Sequence, residues 1–254
     1  ASRACLIPDI PSSLAEASEP GKATARARCQ RRPDDLLIAY VGSFAIYQGI
    51  DLLFAAIPIA ARAEPRARFV IIGGSPAQIA ARKAALQEAG AAQAVVFLGH
   101  IDPDALPDTL AACDVLLSPR LSGMNTPLKL LDYLKAGAAI VATDCPANRL
   151  ILDESTAQLT APTPEAFAEG IVTLCRDRNR REGCAAGASN CCGAATPSAP
   201  SATLCASATS MFWTPARLFD TLFPPFQRAS WPVPTPLPVS PSRGWPAASP
   251  EATG

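Results

Sequence analysis

Between residues 36 and 161 short, continuous apolar runs alternate with helix-length amphipathic stretches, and that rhythm limits the fold more than any other feature of the chain. The runs LLIAYVG (36–42), RFVIIGG (68–74), AVVFLG (94–99), DVLLSP (114–119) and AAIVATD (138–144) lack the polar alternation of a half-exposed strand. They predict strands buried on both faces, with a weaker strand at AQLTA (157–161). The intervening segments 49–63, 76–90, 103–113 and 127–137, and a last one at 164–177, place apolar residues at helical spacing. Pro76 after Ser75 opens one of these helices and Gly90 stops it, while Pro58 inside another should kink it. Strands alternating with helices predict an α/β fold with a doubly wound parallel sheet of about six strands. Ligands of such sheets sit at the carboxyl ends of the strands, so function is expected in the loops after Gly42, Gly73, Gly99, Pro119 and Asp144.

Composition narrows the classes of partner. The formal net charge is zero and the pI about 6.8, which gives no support to nucleic acid or an anionic membrane as a partner. No apolar run approaches the ~20 residues of a spanning helix, and the amino terminus lacks a charged start followed by an apolar stretch. A soluble, cytoplasmic chain is expected. Of nine cysteines, Cys5, Cys29, Cys113, Cys145 and Cys175 are scattered without metal-ligand spacing and read as reduced thiols. From residue 185 to the end the chain has five charged residues and twelve of its 26 prolines, so a boundary in kind is expected near 183. Residues 184–254 read as a low-complexity, disordered Pro/Ala/Ser/Cys-rich tail, polyproline-like at 231–246, with a short apolar helix at 210–223. Its Cys184, Cys191, Cys192 and Cys205 lack the pairing of a metal knot.

Two loops carry the chemical signals. GSFAIYQG (42–49) has glycine at both ends, which lets backbone approach a ligand, although a tight strand-to-helix turn is the simpler explanation. It matches neither the three-glycine dinucleotide fingerprint nor a phosphate loop ending in Gly-Lys-Ser/Thr. SPRLSGMNTPLK (118–129) is more telling. Pro127 in a first helical turn capped by Asn125 or Thr126 would turn free amides toward the ligand edge, where Arg120 and Lys129 add two cations. Asp132, three residues after Lys129, is placed to accept hydrogen bonds from sugar hydroxyls. Phosphate plus hydroxyls is what a nucleoside diphosphate offers; the other reading is a solvated local set of ion pairs. His100, the only histidine, follows a strand end and reads as a loop residue or as a contact for a nucleobase.

Through YVGSFAIYQGIDLL, FVIIGG, VVFLGHI, LAACDVLLSPR, NTPLKLLDYLKAGAAIVATD and GIVTL, residues 37–183 resemble the carboxy-terminal, donor-binding domain of the family 4 (group 1) retaining glycosyltransferases. These are GT-B enzymes with two facing Rossmann-like domains. The resemblance implies a nucleotide-diphosphate sugar as donor substrate, with no further cofactor and no metal. It implies Gly42 for the turn, the amides of Asn125, Thr126 and Leu128 for phosphate, and Asp132 for ribose; Pro127 has no amide to offer. The sequence departs from the family at Ser43, where an arginine is common, and at Gln48, where a lysine is. The usual pair of glutamates stands as Met124 and Asp132, and Arg120 and Lys129 are read as supplying the missing positive charge. No catalytic residue is assigned.

The same resemblance implies an amino-terminal, acceptor-binding domain of comparable size, of which residues 1–35 read only as a remnant of the interdomain connection. The acceptor is therefore unassigned, cell-surface glycan synthesis is the expected setting, and membrane contact is expected only through that other domain. A lone donor half is expected to be inactive, since transfer needs donor and acceptor held together. A coding string compatible with residues 195–205, read two bases on, spells the ending usual in the family. A single frameshift near residues 180–186 is therefore expected. A noncatalytic nucleotide-binding or interaction domain is the main alternative, and an oxidoreductase-type domain, lacking the glycine fingerprint, comes third.

Overall fold

The computed structural model describes residues 15–30, 32–123 and 125–193. Met124 and the expected tail from residue 194 onward lie outside the described residues. Six strands form one sheet: β1 (Leu36–Val41), β2 (Ala67–Ile72), β3 (Val95–Gly99), β4 (Val115–Ser118), β5 (Ala139–Thr143) and β6 (Gln158–Thr160). Their spatial order is β3-β2-β1-β4-β5-β6 and every pairing is parallel. The order reverses between β1 and β4, which sets the switch point at the two loops that carry the sequence signals.

The helices are α1 (Glu19–Cys29), α2 (Ile50–Ala63), α3 (Pro76–Glu88), α4 (Leu106–Ala111), α5 (Lys129–Ala136), α6 (Pro164–Arg176) and α7 (Arg178–Gly193). Strand alternation sends Ile38, Tyr40, Phe69, Ile71, Val115, Leu117 and Val141 into one core with Leu53 and Ile57 of α2 and Phe167 and Ile171 of α6. Leu37, Ala39, Val70, Leu116 and Ile140 face the opposite core with Leu110 of α4 and Leu130 and Tyr133 of α5. Both faces are covered, which explains why the strands read as unbroken apolar runs.

Local chemistry fixes several ends. Ser75 accepts from the Gln78 amide at 3.3 Å while the Gln78 side chain accepts from the Ser75 amide at 2.9 Å, a capping box behind Pro76. Helix α2 is continuous through Pro58. The chain at residues 18–29 is more than a connection. Ser18 caps α1, donates its amide to Asp108 Oδ1 at 2.6 Å and seats the helix on α4, with Cys29 buried in the second core. At the other end the helix runs past the boundary expected at 183, to Gly193. Cys184 is buried in the first core and Ala188 in the second. Loss of charge marked the composition change, yet small apolar residues still continue a helix and pack.

Candidate functional site

The carboxyl ends of β1 and β4 diverge: the strands pair only at Ile38 with Val115 and Ala39 with Leu116. Tyr133 on α5 fills the gap, its hydroxyl accepting from the Val41 amide at 3.1 Å and donating to the Leu117 carbonyl at 3.2 Å. The hydroxyl thereby ties the end of β1 to the end of β4 where the two strands no longer pair directly. Above this bridge opens a cleft of about 560 Å³, walled by Gly42, Tyr47 and Gln48 on one side and by Arg120 and the 125–129 segment on the other.

The β1 wall is mostly backbone. A one-turn helix at Ile46–Gln48 ends on Gly49, whose φ of +73° is left-handed. A Cβ there would stand 1.7 Å from the Pro119 carbonyl oxygen, so this close approach of the two loops requires glycine. The loops are also stitched by the Leu121 amide donating to the Tyr47 carbonyl at 3.1 Å. At Gly42 (φ +151°) a Cβ would meet the Tyr40 hydroxyl at 2.9 Å and lie 3.7 Å from Lys129 Nζ. The absence of a side chain there leaves the floor of the cleft open to that ammonium.

The β4 wall supplies charge. Arg120 is only 7% exposed, its Nε donates to the Ser122 carbonyl at 2.9 Å, and its guanidinium carbon lies 5.6 Å from the Tyr47 ring centroid. Among the described residues no carboxylate pairs with it and no acceptor is placed for its terminal nitrogens. Lys129 Nζ donates to Gln48 Oε1 at 3.1 Å and sits 4.6 Å from the centroid of the Tyr40 ring. Burial, reinforced by the Arg120 charge, pulls its ammonium down to about 7. A desolvated lysine beside a buried arginine, with no carboxylate in the lining, is an excess of positive charge that an anion would compensate.

The sequence-predicted residues divide. Gly42, Gln48, Arg120, Asn125, Thr126, Leu128 and Lys129 line the cleft together. Ser43 does not: it is solvent-exposed, and its carbonyl accepts from the Tyr40 hydroxyl at 2.8 Å. Asp132 lines a separate, smaller groove of about 130 Å³ with Leu106, Pro107 and Lys135. The expected capping is also corrected. Helix α5 begins at Lys129, with Leu128 at the cap position and no side-chain cap, so neither Asn125 nor Thr126 caps it and Pro127 precedes its first turn. The Leu130 and Leu131 amides bond to the Pro127 and Leu128 carbonyls, so the amides of Leu128 and Lys129 come before the first of these turn bonds. His100 is exposed in the turn after β3. Sequence reasoning missed Tyr47 and the Tyr133 bridge; an aromatic next to Gln48 and a tyrosine one turn beyond Lys129 were the signals.

Among the described residues no group of three or more His, Cys, Asp or Glu side chains is placed to hold a metal, and no helix is long and apolar enough to cross a membrane. Cys29, Cys113, Cys145, Cys175 and Cys184 are free and buried.

Comparison with known proteins places the fold. The chain is 29% identical over 145 residues to a phosphatidyl-myo-inositol mannosyltransferase of Mycolicibacterium smegmatis, covering 56% of this chain and 36% of that protein. It is 27% identical over 138 residues to the enzyme of the same name from Mycobacterium leprae, again covering 36% of the relative. The chain thus spans just over a third of the length of these curated relatives. Among solved structures, the carboxy-terminal domain of a group 1 glycosyl transferase (LpcC) from Francisella tularensis superposes with a TM-score of 0.60 at 18% identity, covering 69% of this chain and 92% of that one. Anabaena HepE in complex with UDP superposes with a TM-score of 0.61 at 17% identity, over 70% of this chain and 49% of that one. The family model of the group 1 glycosyl transferases matches residues 35–177, more than half of the chain, and the protein belongs to that family.

Proposed function

We propose that residues 36–193 form the donor-binding half of a glycosyltransferase that takes a sugar from a nucleotide-diphosphate sugar. The observation that carries the reading is the pair of uncompensated cations, Arg120 and Lys129, in a cleft at the switch point of the sheet. A diphosphate placed between them would gain charge-assisted hydrogen bonds from both side chains and face the first amides of α5, contacts worth roughly 1.5–3 kcal/mol each. The positive charge that the family commonly carries at the positions of Ser43 and Gln48 comes here from the opposite wall, and Gln48 serves to hold Lys129 in place. No metal or further cofactor is needed for that role. Asp132, three positions after Lys129 on α5, lines a separate groove, and its part in holding the ribose rests on the family resemblance alone.

The similarity to mannosyltransferases and to UDP-bound neighbours supports the class of donor and leaves the sugar, base and acceptor open. This reading covers the holding of donor alone, since transfer also requires an acceptor surface in register with the donor. Calorimetric titration with UDP, GDP, ADP and NAD tests the reading. Saturable binding of a nucleoside diphosphate without binding of NAD is expected. Absence of heat with every diphosphate at millimolar concentration overturns it, and a preference for NAD would favour an oxidoreductase-type site.

A further inference from the structure

Beneath the β4 loop, in an otherwise apolar core, lie three polar side chains with no exposure to solvent: Ser118 at the end of β4, Thr143 at the end of β5, and Asn148 in the short helix that follows β5. None of them lines the cleft. The Asn148 amide nitrogen donates to the Thr143 carbonyl at 2.9 Å and lies 3.3 Å from the Ser118 carbonyl, and since carbonyls only accept, the amide orientation is fixed. Its Oδ1 then accepts from the Ser118 hydroxyl at 3.0 Å. The same amide nitrogen lies 3.1 Å from Thr143 Oγ1 and, being a donor only, leaves the Thr143 hydroxyl proton to a carbonyl. The acceptor it meets is the main-chain carbonyl of Arg120.

This order of donors has a consequence at the site. Arg120 is the residue where β4 gives way to the loop, and its carbonyl is held from below by a hydroxyl whose direction Asn148 dictates. Its side chain is held from above, by the Ser122 carbonyl at 2.9 Å and the ring of Tyr47. Gly123, with φ +116°, lets the loop fold over the guanidinium, for a Cβ there would stand 2.2 Å from Nη2. We propose that Thr143 and Asn148 are positioning residues for donor binding: through Ser118 and the Arg120 carbonyl they set the place of the anion-binding guanidinium from the neighbouring strand. Three buried polar side chains in a sheet core are costly unless mutually satisfied, and a fully satisfied set locks one geometry. The functional part of this inference rests on the reading of the cleft as a diphosphate site.

The test uses the full chain and two matched substitutions. Thr143→Val keeps the shape and removes the hydroxyl; Thr143→Ser keeps the hydroxyl and removes a methyl. Two readouts are needed: UDP affinity, and hydrogen exchange of the 120–128 amides relative to those of β1 and β2. Thr143→Val is expected to weaken UDP by about tenfold and to speed exchange in 120–128 alone, while Thr143→Ser stays within about twofold on both. Ser118→Ala, which removes only the hydrogen bond to Asn148 Oδ1, provides the same contrast at smaller amplitude if Thr143→Val does not fold. The proposal is overturned if the folded variants keep native exchange in 120–128, or if Thr143→Ser fails as badly as Thr143→Val. Should the wild-type chain bind no diphosphate, the reading of the cleft falls, and the exchange pattern still decides whether this network holds the loop.

Discussion

The two loops that meet at the switch point are built on opposite plans. The loop after β1 contributes absence: a glycine at each end, a one-turn helix, and Gln48 Oε1 as the acceptor it offers Lys129. The loop after β4 contributes charge, with Arg120 sealed beneath Tyr47 and Lys129 desolvated at the start of α5. One wall is space and the other is field. Under the proposed function, positive charge moved to the facing wall would still reach the same volume, because anion binding responds to potential in the cleft rather than to the strand that carries it.

Reversing the charged wall should have the largest effect. Lys129→Glu is expected to lower UDP affinity by at least about 100-fold, with a melting temperature near that of wild type, since the change removes an attraction and adds a repulsion beside Gln48. Calorimetry and thermal denaturation check both halves. Spoiling the spacious wall should instead cost stability. Gly49→Ala forces a left-handed residue against the Pro119 carbonyl and is expected to destabilise the fold by about 2–3 kcal/mol, read from the urea midpoint.

A pH series sharpens the contrast without mutation of the fold. The Lys129 ammonium titrates near 7, below the ~10.4 of an unfolded chain. Between those values the unfolded chain holds the extra proton, so this group makes the empty protein more stable as pH rises through that window. A bound diphosphate raises the lysine again, so binding takes up a proton above about 7. UDP affinity should therefore fall with rising pH by up to about tenfold per unit, and Lys129→Met should flatten that slope. The smallest effect belongs to Asp132. Its conversion to Asn is expected to weaken UDP by about fivefold and to leave inorganic pyrophosphate unaffected, as its separate groove requires.

What could be read from the sequence follows from what is periodic. All six strands were predicted within two residues, because burial on both faces forces continuous apolar runs, and helices α2 to α6 were found by their spacing, whereas α1 was read as a mere connection. Arg120 and Lys129 were legible as cations at a strand end, and their convergence followed from topology. The failures were of another kind. Whether α5 starts at Pro127 or Lys129 depends on a local turn whose cap carries no side-chain signal. Ser43 faces solvent because Tyr40 captures its carbonyl, a contact between residues too close in sequence to show a pattern. The Ser118, Thr143 and Asn148 network joins residues 25 to 30 positions apart to Ser118 and has no periodicity at all. Helix α7 beyond 183 was hidden by composition, since Ala, Gly and Cys look the same in a packed helix and in a low-complexity segment.

The central claim is that two cations on one wall of the cleft, Arg120 in the loop after β4 and Lys129 at the start of α5, make the donor site. It is tested most directly by UDP titration of the double variant Arg120→Gln, Lys129→Met beside each single variant and the wild type. The account predicts that each single change costs about tenfold or more and that the double variant, still folded by circular dichroism, shows no saturable binding at millimolar UDP. Wild-type affinity in the folded double variant would contradict it.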